Sequence, residues 1–242
     1  MASIVLVHGS WHASWCWHRV EPLLVRRGHV VKAIDLPGHG ADWRRAPEVR
    51  FKDYIDAVGE ALGDCAPPRV LVVHSWGGIG CAVAERWPER LAALVFIAAV
   101  IPDNGASMMQ MVEQYDAAVL ASFVFSEDRR VAAISADGAR AFMYGLAPSE
   151  EADQAIARLT PEPAEPFTAP ILTTAERFGR VPRYYVETAS DRLVPLALQR
   201  AIQTRIAVRR TLTLVSDHAP LFSAPRDLAA CLADVVAEVE PA

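Results

Sequence analysis

Short apolar runs alternate with amphipathic segments along most of the chain. Runs rich in β-branched residues predict buried strands, and segments with apolar residues every three or four positions predict helices. The predicted strands are 3–7, 30–34, 70–73, 91–99, 183–188 and 211–215, and the predicted helices are 15–27, 51–62, 78–87, 196–205 and 226–239. This alternation predicts an α/β domain with a mainly parallel sheet of about six strands and helices on both faces.

The alternation stops in the middle of the chain. Between residues 104 and 180 the pattern predicts mainly helices, at 108–122, 126–134, 138–144 and 150–159, followed by a proline-rich segment at 160–167. We therefore expect a core formed by residues 1–103 and 176–242, with a small helical cap inserted at 104–175.

Composition narrows the range of partners. A chain of 242 residues with 52% hydrophobic residues suits one α/β domain, and its net charge of −5 gives no reason to expect nucleic acid. No apolar run approaches the ~20 residues that span a bilayer, and no signal segment opens the chain, so we expect no membrane and a cytoplasmic location. The excess of arginine over lysine, together with abundant alanine, is typical of a high-GC bacterial genome.

The chain lacks the sequence patterns typical of disulfide bonds, metal sites and phosphate or dinucleotide binding. The four cysteines are scattered, which predicts reduced thiols. The seven histidines are dispersed without the spacing of metal ligands, so we expect no metal. Glycine motifs that bind phosphates or dinucleotides are also absent from the sequence.

One junction between strand and helix is unusually tight. The apolar run 70–73 passes through Ser75 into paired glycines at Gly77 and Gly78 and then into a predicted helix. A turn this sharp strains its central residue and requires small neighbours. The pattern indicates a nucleophile elbow that holds the Ser75 hydroxyl above the sheet. The alternative is a glycine-rich turn with an incidental serine, and Val73 replaces the glycine usual two residues before the serine.

Two further strand ends carry residues of the types that activate a serine nucleophile. Asp191 follows the predicted strand 183–188, and His218 follows the last predicted strand. A serine hydroxyl is a poor nucleophile at neutral pH, so an imidazole must accept its proton and a carboxylate must orient that imidazole. The chain order Ser75, Asp191, His218 is typical of this arrangement. The alternatives are a surface-loop histidine, an aspartate that caps a helix or forms a turn, and Asp103 as the orienting acid. Asp217 is disfavoured for that role, because neighbours on a loop usually point apart.

Two backbone N–H groups are predicted to bind the negative charge that develops on a substrate oxygen. The Trp76 N–H directly follows the serine, and the Ser10 N–H follows Gly9, where the missing side chain permits close approach. His8 and His74 beside these positions are predicted to be structural.

Three segments carry a family resemblance. They are Val7-His8-Gly9-Ser10-Trp11-His12-Ala13-Ser14-Trp15-Cys16-Trp17, Asp191-Arg192-Leu193-Val194-Pro195 and Asp217-His218-Ala219-Pro220-Leu221. With them, the chain resembles the α/β-hydrolase superfamily, and more narrowly the plant-type methyl esterases, salicylic-acid-binding esterases and hydroxynitrile lyases with their bacterial relatives. The resemblance covers nearly the whole chain and is loose only in the cap.

The resemblance implies an α/β-hydrolase core, a helical cap, no cofactor and a buried apolar pocket for a small ester. It assigns Ser75 as nucleophile, His218 as base and Asp191 as the group that orients the base, and it places the oxyanion donors at Ser10 and Trp76. The candidate pocket residues are Trp11, His12, Met108, Met111 and Phe142.

The sequence departs from this group at three positions. Val73 replaces a glycine, and Trp76 is large where a smaller residue is common, so it is expected to shape the pocket. Ala219 stands where the lyase branch has a lysine directly after the catalytic histidine. This last difference favours ester hydrolysis over cyanohydrin cleavage.

We therefore expect a serine hydrolase that cleaves methyl, aromatic or secondary-metabolite esters or lactones through an acyl-enzyme. Its partner is then a small-molecule ester, and a homodimer is the oligomeric state that the resemblance suggests. Two alternatives stay open. One is a non-hydrolytic enzyme on the same three residues, such as a lyase, an acyltransferase or a polyketide-tailoring enzyme, and the other is a small-molecule-binding protein with low turnover.

Overall fold

A parallel sheet lies at the centre of the molecule, in a computed structural model that describes residues 1–239. In chain order the strands are β1 (Ser3–Val7), β2 (Val30–Ile34), β3 (Arg69–Trp76), β4 (Ala93–Val100), β5 (Phe123–Phe125), β6 (Val131–Ile134), β7 (Glu162–Pro163), β8 (Arg183–Thr188) and β9 (Arg210–Leu214). Six of them form one sheet in the order β2-β1-β3-β4-β8-β9, and every pairing in it is parallel. The predicted α/β sheet of six strands is confirmed.

Helices connect the strands. They are α1 (Glu21–Val25), α2 (Phe51–Gly63), α3 (Gly78–Arg86), α4 (Met108–Val112), α5 (Ala117–Leu120), α6 (Ala136–Phe142), α7 (Ser149–Ile156), α8 (Glu165–Thr168), α9 (Leu196–Ile206), α10 (Pro220–Ser223) and α11 (Pro225–Val239). Short 3₁₀ helices span Ser14–Trp17, Gly40–Glu48, Pro88–Arg90 and Phe178–Arg180. The single helix predicted over 15–27 is wrong. Its first part is 3₁₀ and its α-helical part begins only at Glu21, next to Pro22, whose ring and missing N–H prevent a continuous helix through this point.

The strand order places helices on both faces of the sheet. The chain moves one way from β1 to β2 and the opposite way from β2 to β3. Because crossovers between parallel strands are right-handed, this reversal puts α1 on one face and α2 and α3 on the other. The contacts agree, since α1 packs against α11 and α2 packs against α3. The reversal also opens a crevice at the carboxyl ends of β1 and β3, where ligands of such sheets bind.

The segment between β4 and β8 combines helices with a second, antiparallel sheet. This sheet has the order β5-β6-β7, so the helix predicted over 126–134 is wrong. The chain turns at Arg129, whose φ is +53°, and β6 then pairs with β5 on one side and β7 on the other. The helix predicted over 108–122 is also interrupted, because Asp116 accepts a hydrogen bond from the Ala118 N–H (2.8 Å) and starts a new helix. The cap boundaries of 104–175 stay a prediction.

Two further features bear on the sequence expectations. Within residues 1–239, no helix combines the length and the apolar character needed to cross a bilayer. All four cysteines are free, and three of them are buried.

Candidate active site

A strained turn presents Ser75 at the end of β3. Ser75 has a φ of +64°, a left-handed conformation that is uncommon for any residue with a side chain. The strand passes through this turn into α3 within about three residues, and the Gly77 N–H donates to the Val100 carbonyl (2.9 Å) at its base. A methyl group added at Gly9 would lie 2.7 Å from the Ser75 Cβ. The loop after β1 therefore runs directly against the serine, and only glycine fits there.

Val73 is accommodated without disturbing this turn. It is buried and pairs with Val7 on one side and Phe96 on the other. The space for its side chain comes from α3, because a Cβ added at Gly80 would lie 3.1 Å from the Val73 Cγ2 atom. A glycine in the helix thus compensates for the valine in the strand.

The three residues predicted from separate strand ends form one hydrogen-bonded chain. The Ser75 Oγ lies 3.0 Å from the His218 Nε2, and the His218 Nδ1 lies 2.8 Å from the Asp191 Oδ2. All three side chains are buried. The carboxylate can accept only from an Nδ1–H, so the Nε2 lone pair faces the serine hydroxyl.

The Asp191 carboxylate is itself held by several donors. Its Oδ1 accepts from the Leu193 N–H (2.9 Å) and the Val194 N–H (2.8 Å). Its Oδ2 accepts from the Thr188 hydroxyl (2.9 Å) and, at 3.3 Å, from the Gln199 amide. These contacts satisfy the oxygens of the buried carboxylate and fix its orientation.

The other aspartates considered as orienting acids lie elsewhere. Asp103 is exposed and forms an ion pair with Arg205 (3.1 Å). Asp217, the neighbour of His218, accepts from the Leu146 N–H (2.7 Å) and from the Ser223 hydroxyl (2.7 Å). The Asp217 contact ties the segment before α7 to the loop that carries His218.

Three neutral histidines surround this chain of residues. His74 donates from its Nε2 to the His218 carbonyl (2.8 Å), and His8 accepts from the Leu36 N–H (3.1 Å) at its Nε2. Burial lowers the pKa of both His8 and His74 well below its usual range, and nearby histidines lower it further. Burial also lowers the pKa of His12 to about 4, against the opposing effect of its bond to the Ser10 carbonyl. These rings therefore serve as fixed neutral hydrogen-bonding groups at neutral pH.

The predicted oxyanion donors lie at the carboxyl ends of the neighbouring strands β1 and β3, Ser10 just after β1 and Trp76 as the last residue of β3. Ser10 comes directly after Gly9, which lies against Ser75, and Trp76 directly follows Ser75. The indole of Trp76 is buried, and its ring centre lies 5.4 Å from that of Phe51 and 4.8 Å from that of Phe167. The size of Trp76 thus fills the space between α2 and α8.

The predicted pocket residues fall into different surroundings. Trp11 lines a small, largely apolar cavity together with Met109, Val112, Phe123, Phe125, Ala132, Glu162, Pro163, Ala164 and Phe167. His12 is buried, donating from its Nδ1 to the Ser10 carbonyl (2.9 Å) and accepting at its Nε2 from the Tyr144 hydroxyl (2.5 Å). Met108 and Met111 are buried in α4, whose residues Met109 and Val112 reach the cavity. Phe142 is half-buried, with the Arg192 guanidinium 5.6 Å from its ring centre.

Several polar residues around the site were missed by sequence reasoning. All of them are buried. They are His39, Tyr54, Tyr144, Glu162, Thr188 and Gln199. Gln199 lies in α9, the helix that follows the loop with Asp191, so the sequence could have predicted that it lies near Asp191. Glu162 gave no signal, because it lies in the proline-rich segment and its partners are more than 100 residues away.

Comparison with known proteins assigns the family. The model of the alpha/beta hydrolase family matches residues 4–231. The chain belongs to this family. Methylesterase 7 of Arabidopsis thaliana is 31% identical over 96% of this chain and 95% of the relative. Methyl jasmonate esterase 1 of Vitis vinifera is 30% identical over 96% of this chain and 95% of the relative.

A solved structure supports the same assignment for this alpha/beta hydrolase. The crystal structure of polyneuridine aldehyde esterase superimposes with a TM-score of 0.88 and 26% sequence identity, covering 98% of this chain and 99% of that one. The resemblance to the plant-type esterase group is confirmed. The bacterial origin expected from composition is not supported, because these curated relatives are plant proteins.

Proposed function

We propose that this alpha/beta hydrolase is a serine esterase that hydrolyses small-molecule carboxylic esters. The observation that carries the proposal is the unbroken chain from the Ser75 hydroxyl through the His218 ring to the Asp191 carboxylate, with atom separations of 3.0 Å and 2.8 Å. The curated relatives reported above bear esterase names, which favours the same reaction class here.

The geometry supports acyl transfer in two stages. The Ser75 Oγ attacks the ester carbonyl carbon while His218 Nε2 accepts the hydroxyl proton, and Asp191 stabilises the resulting imidazolium. The carbonyl oxygen, now negative, accepts hydrogen bonds from the Ser10 and Trp76 N–H groups. The alkoxide leaves with the proton from His218. Water, deprotonated by His218, then attacks the acyl-enzyme and releases a carboxylic acid and free Ser75.

The substrate is proposed to be small to medium in size and apolar or aromatic. The cavity beside Trp11 is lined mainly by apolar side chains, which suits an apolar acyl or alcohol group. Ala219 follows His218 in place of the lysine on which the lyase branch relies, which favours hydrolysis over cyanohydrin cleavage. A homodimer is proposed from the family resemblance alone, and a cytoplasmic location is proposed from the scattered, unpaired cysteines.

An ester panel tests this function. p-Nitrophenyl and methyl esters of graded acyl size are offered to the purified protein and to the Ser75→Ala variant, and release of acid and alcohol is quantified. We expect hydrolysis by the parent protein and a loss of at least about 10³-fold in the variant, because the nucleophile is gone. A fluorophosphonate probe should label the parent protein at Ser75. Full ester hydrolysis by Ser75→Ala, or an acyl product transferred without release of free acid, would contradict the proposal.

A further inference from the structure

A buried carboxylate from the second sheet reaches the loop that follows β1. Glu162 lies in β7, and its side chain is 3% exposed. Its Oε2 accepts from the Trp11 N–H (3.0 Å) and the His39 Nε2–H (2.9 Å), and its Oε1 accepts from the Tyr54 hydroxyl (3.0 Å). Three donors from three distant parts of the chain therefore converge on a single buried anion.

The Trp11 N–H belongs to the peptide unit that directly follows the predicted oxyanion donor. The carbonyl of that same peptide unit is the Ser10 carbonyl, which accepts from the His12 Nδ1–H (2.9 Å). The carbonyl of Trp11 in turn accepts from the Thr160 N–H (3.0 Å), two residues before Glu162. Both ends of the Ser10–Trp11 peptide unit are thus fixed, one by a neighbouring ring and the other by the Glu162 carboxylate.

This peptide unit requires external support. Trp11 has a φ of +64°, and a bulky residue adopts this conformation only where surrounding contacts impose it. Without an acceptor, the buried Trp11 N–H would also be left unsatisfied, which favours rotation of the peptide toward another partner. Such a rotation turns the bond between Cα and C of Ser10, and the adjustment of the loop around that bond would displace the adjoining Ser10 N–H.

We infer that Glu162 is a positioning residue for the oxyanion hole, acting through the Trp11 N–H to fix the direction of the Ser10 N–H. The inference rests on the proposed esterase function. Glu162 touches neither the substrate carbonyl nor the triad in this role. Its removal should weaken binding of the developing oxyanion more than binding of the ground-state ester, so the effect falls on kcat more than on KM.

The test compares three substitutions at residue 162. Glu162→Met removes both acceptors at similar volume, and we expect kcat for p-nitrophenyl acetate to fall about tenfold to a hundredfold with KM changed less than about threefold. Glu162→Gln retains one oxygen for the Trp11 N–H while its amide faces the Tyr54 hydroxyl, which can accept, so kcat should stay within about threefold of the parent. Glu162→Asp keeps the carboxylate but shortens the side chain, which moves the carboxylate away from the Trp11 N–H. It should lower kcat about threefold to tenfold, and it provides the test if Glu162→Met fails to fold.

Glu165→Met provides the matched control. Glu165 lies three residues further along and likewise accepts a backbone N–H of the core, that of Phe51 (2.7 Å), but it does not contact the loop after β1. We expect this variant to lose stability without losing kcat. If Glu162→Met or Glu162→Asp shows the same pattern as Glu165→Met, the inference is overturned and Glu162 is only structural.

A second readout separates this inference from the proposed function. The rate of fluorophosphonate labelling at Ser75 also depends on the oxyanion hole, because the phosphoryl oxygen occupies it, but it does not require an ester substrate. Labelling of the parent protein without any ester hydrolysis would reject the esterase function while a slowed rate in Glu162→Asp still supports the positioning role. Equal labelling rates in the parent and in Glu162→Asp would reject the positioning role, and a parent protein inert to both reagents would reject both.

Discussion

The Asp191 carboxylate determines which tautomer His218 adopts. Its contact with Nδ1 is 2.8 Å long, and its remaining lone pairs are taken by backbone N–H groups and by the Thr188 hydroxyl. Because these donors already satisfy it, the carboxylate is held as an acceptor with one fixed orientation. An amide in its place can present an N–H to His218 and so favour the tautomer that cannot accept the serine proton.

Asp191→Asn should therefore lower kcat for ester hydrolysis by about 10⁴-fold while the fold is retained. Steady-state kinetics and a circular dichroism spectrum measure the two effects. Asp103→Asn is the control, since Asp103 is exposed and paired with Arg205, and its kcat should be unchanged. A large loss in Asp103→Asn, or a small one in Asp191→Asn, would contradict the assignment of the orienting acid.

At the scale of elements, β3 packs closely against α3 because the side chain of Val73 in the strand faces Gly80 in the helix, which has none. Val73 projects from the strand toward Gly80 in the helix, where an added Cβ would lie 3.1 Å from Val73 Cγ2 and 2.9 Å from Leu94 Cδ1. The strand–helix distance at the elbow therefore depends on both residues together, and a change in either shifts the helix that begins just after Ser75.

We expect Gly80→Ala to lower the free energy of unfolding by about 1–3 kcal/mol through overpacking. Val73→Ala should lower it by about 2 kcal/mol by leaving a cavity. The double variant should lose less than the sum by at least about 0.5 kcal/mol, because the smaller strand residue makes room for the new methyl group. Urea unfolding of the four proteins measures this coupling, and strictly additive losses would show that the two positions do not share the space.

The same scale shows where sequence reasoning succeeds. In β1, β2 and β8, β-branched, aromatic and other apolar residues predominate over a short run, so these strands were predicted with their observed bounds. The segment 131–134 is short and contains two alanines, and its strand conformation depends on its hairpin with β5 and on pairing with β7 from further along the chain. A local pattern cannot report such pairing, which is why a helix was predicted there.

Over the whole molecule, buried polar groups join the segment between β4 and β8 to the rest of the chain. Glu162 receives donors from Trp11, Tyr54 and His39, and Asp217 receives the Leu146 N–H. Ser75, Asp191 and His218 were predictable because each follows a strand and carries reactive chemistry. The residues that hold them were not, because a buried glutamate or tyrosine looks like an ordinary polar residue until its distant partners are known.

The buried neutral histidines should make the molecule acid-sensitive. The pKa values of His8, His12 and His74 are lowered by burial, that of His12 to about 4. Below about pH 6.5 these histidines therefore bind protons in the unfolded chain but not in the folded protein. The free energy of unfolding falls as the pH falls from there. The pKa of His39 is lowered by burial but raised overall by Glu162, so its stabilising contribution is already complete below about pH 6.5.

His12→Asn should reduce this acid sensitivity. We expect the fall in the free energy of unfolding between pH 6.5 and pH 5 to become smaller by about 1 kcal/mol for each pH unit. Urea unfolding across this range measures the slope. An identical slope in the parent protein and in His12→Asn would show that the buried ring does not govern the acid response.

The left-handed backbone at Ser75 also limits which nucleophiles the elbow admits. With a φ of +64° and the Gly9 backbone pressed against its Cβ, this position has no space for a branch at the β-carbon. A thiol has no such branch, whereas the secondary alcohol of threonine does. Ser75→Cys should therefore keep the melting temperature of the parent protein and Ser75→Thr should lower it, so that backbone geometry, before any question of reactivity, admits a cysteine nucleophile at this position and excludes a threonine.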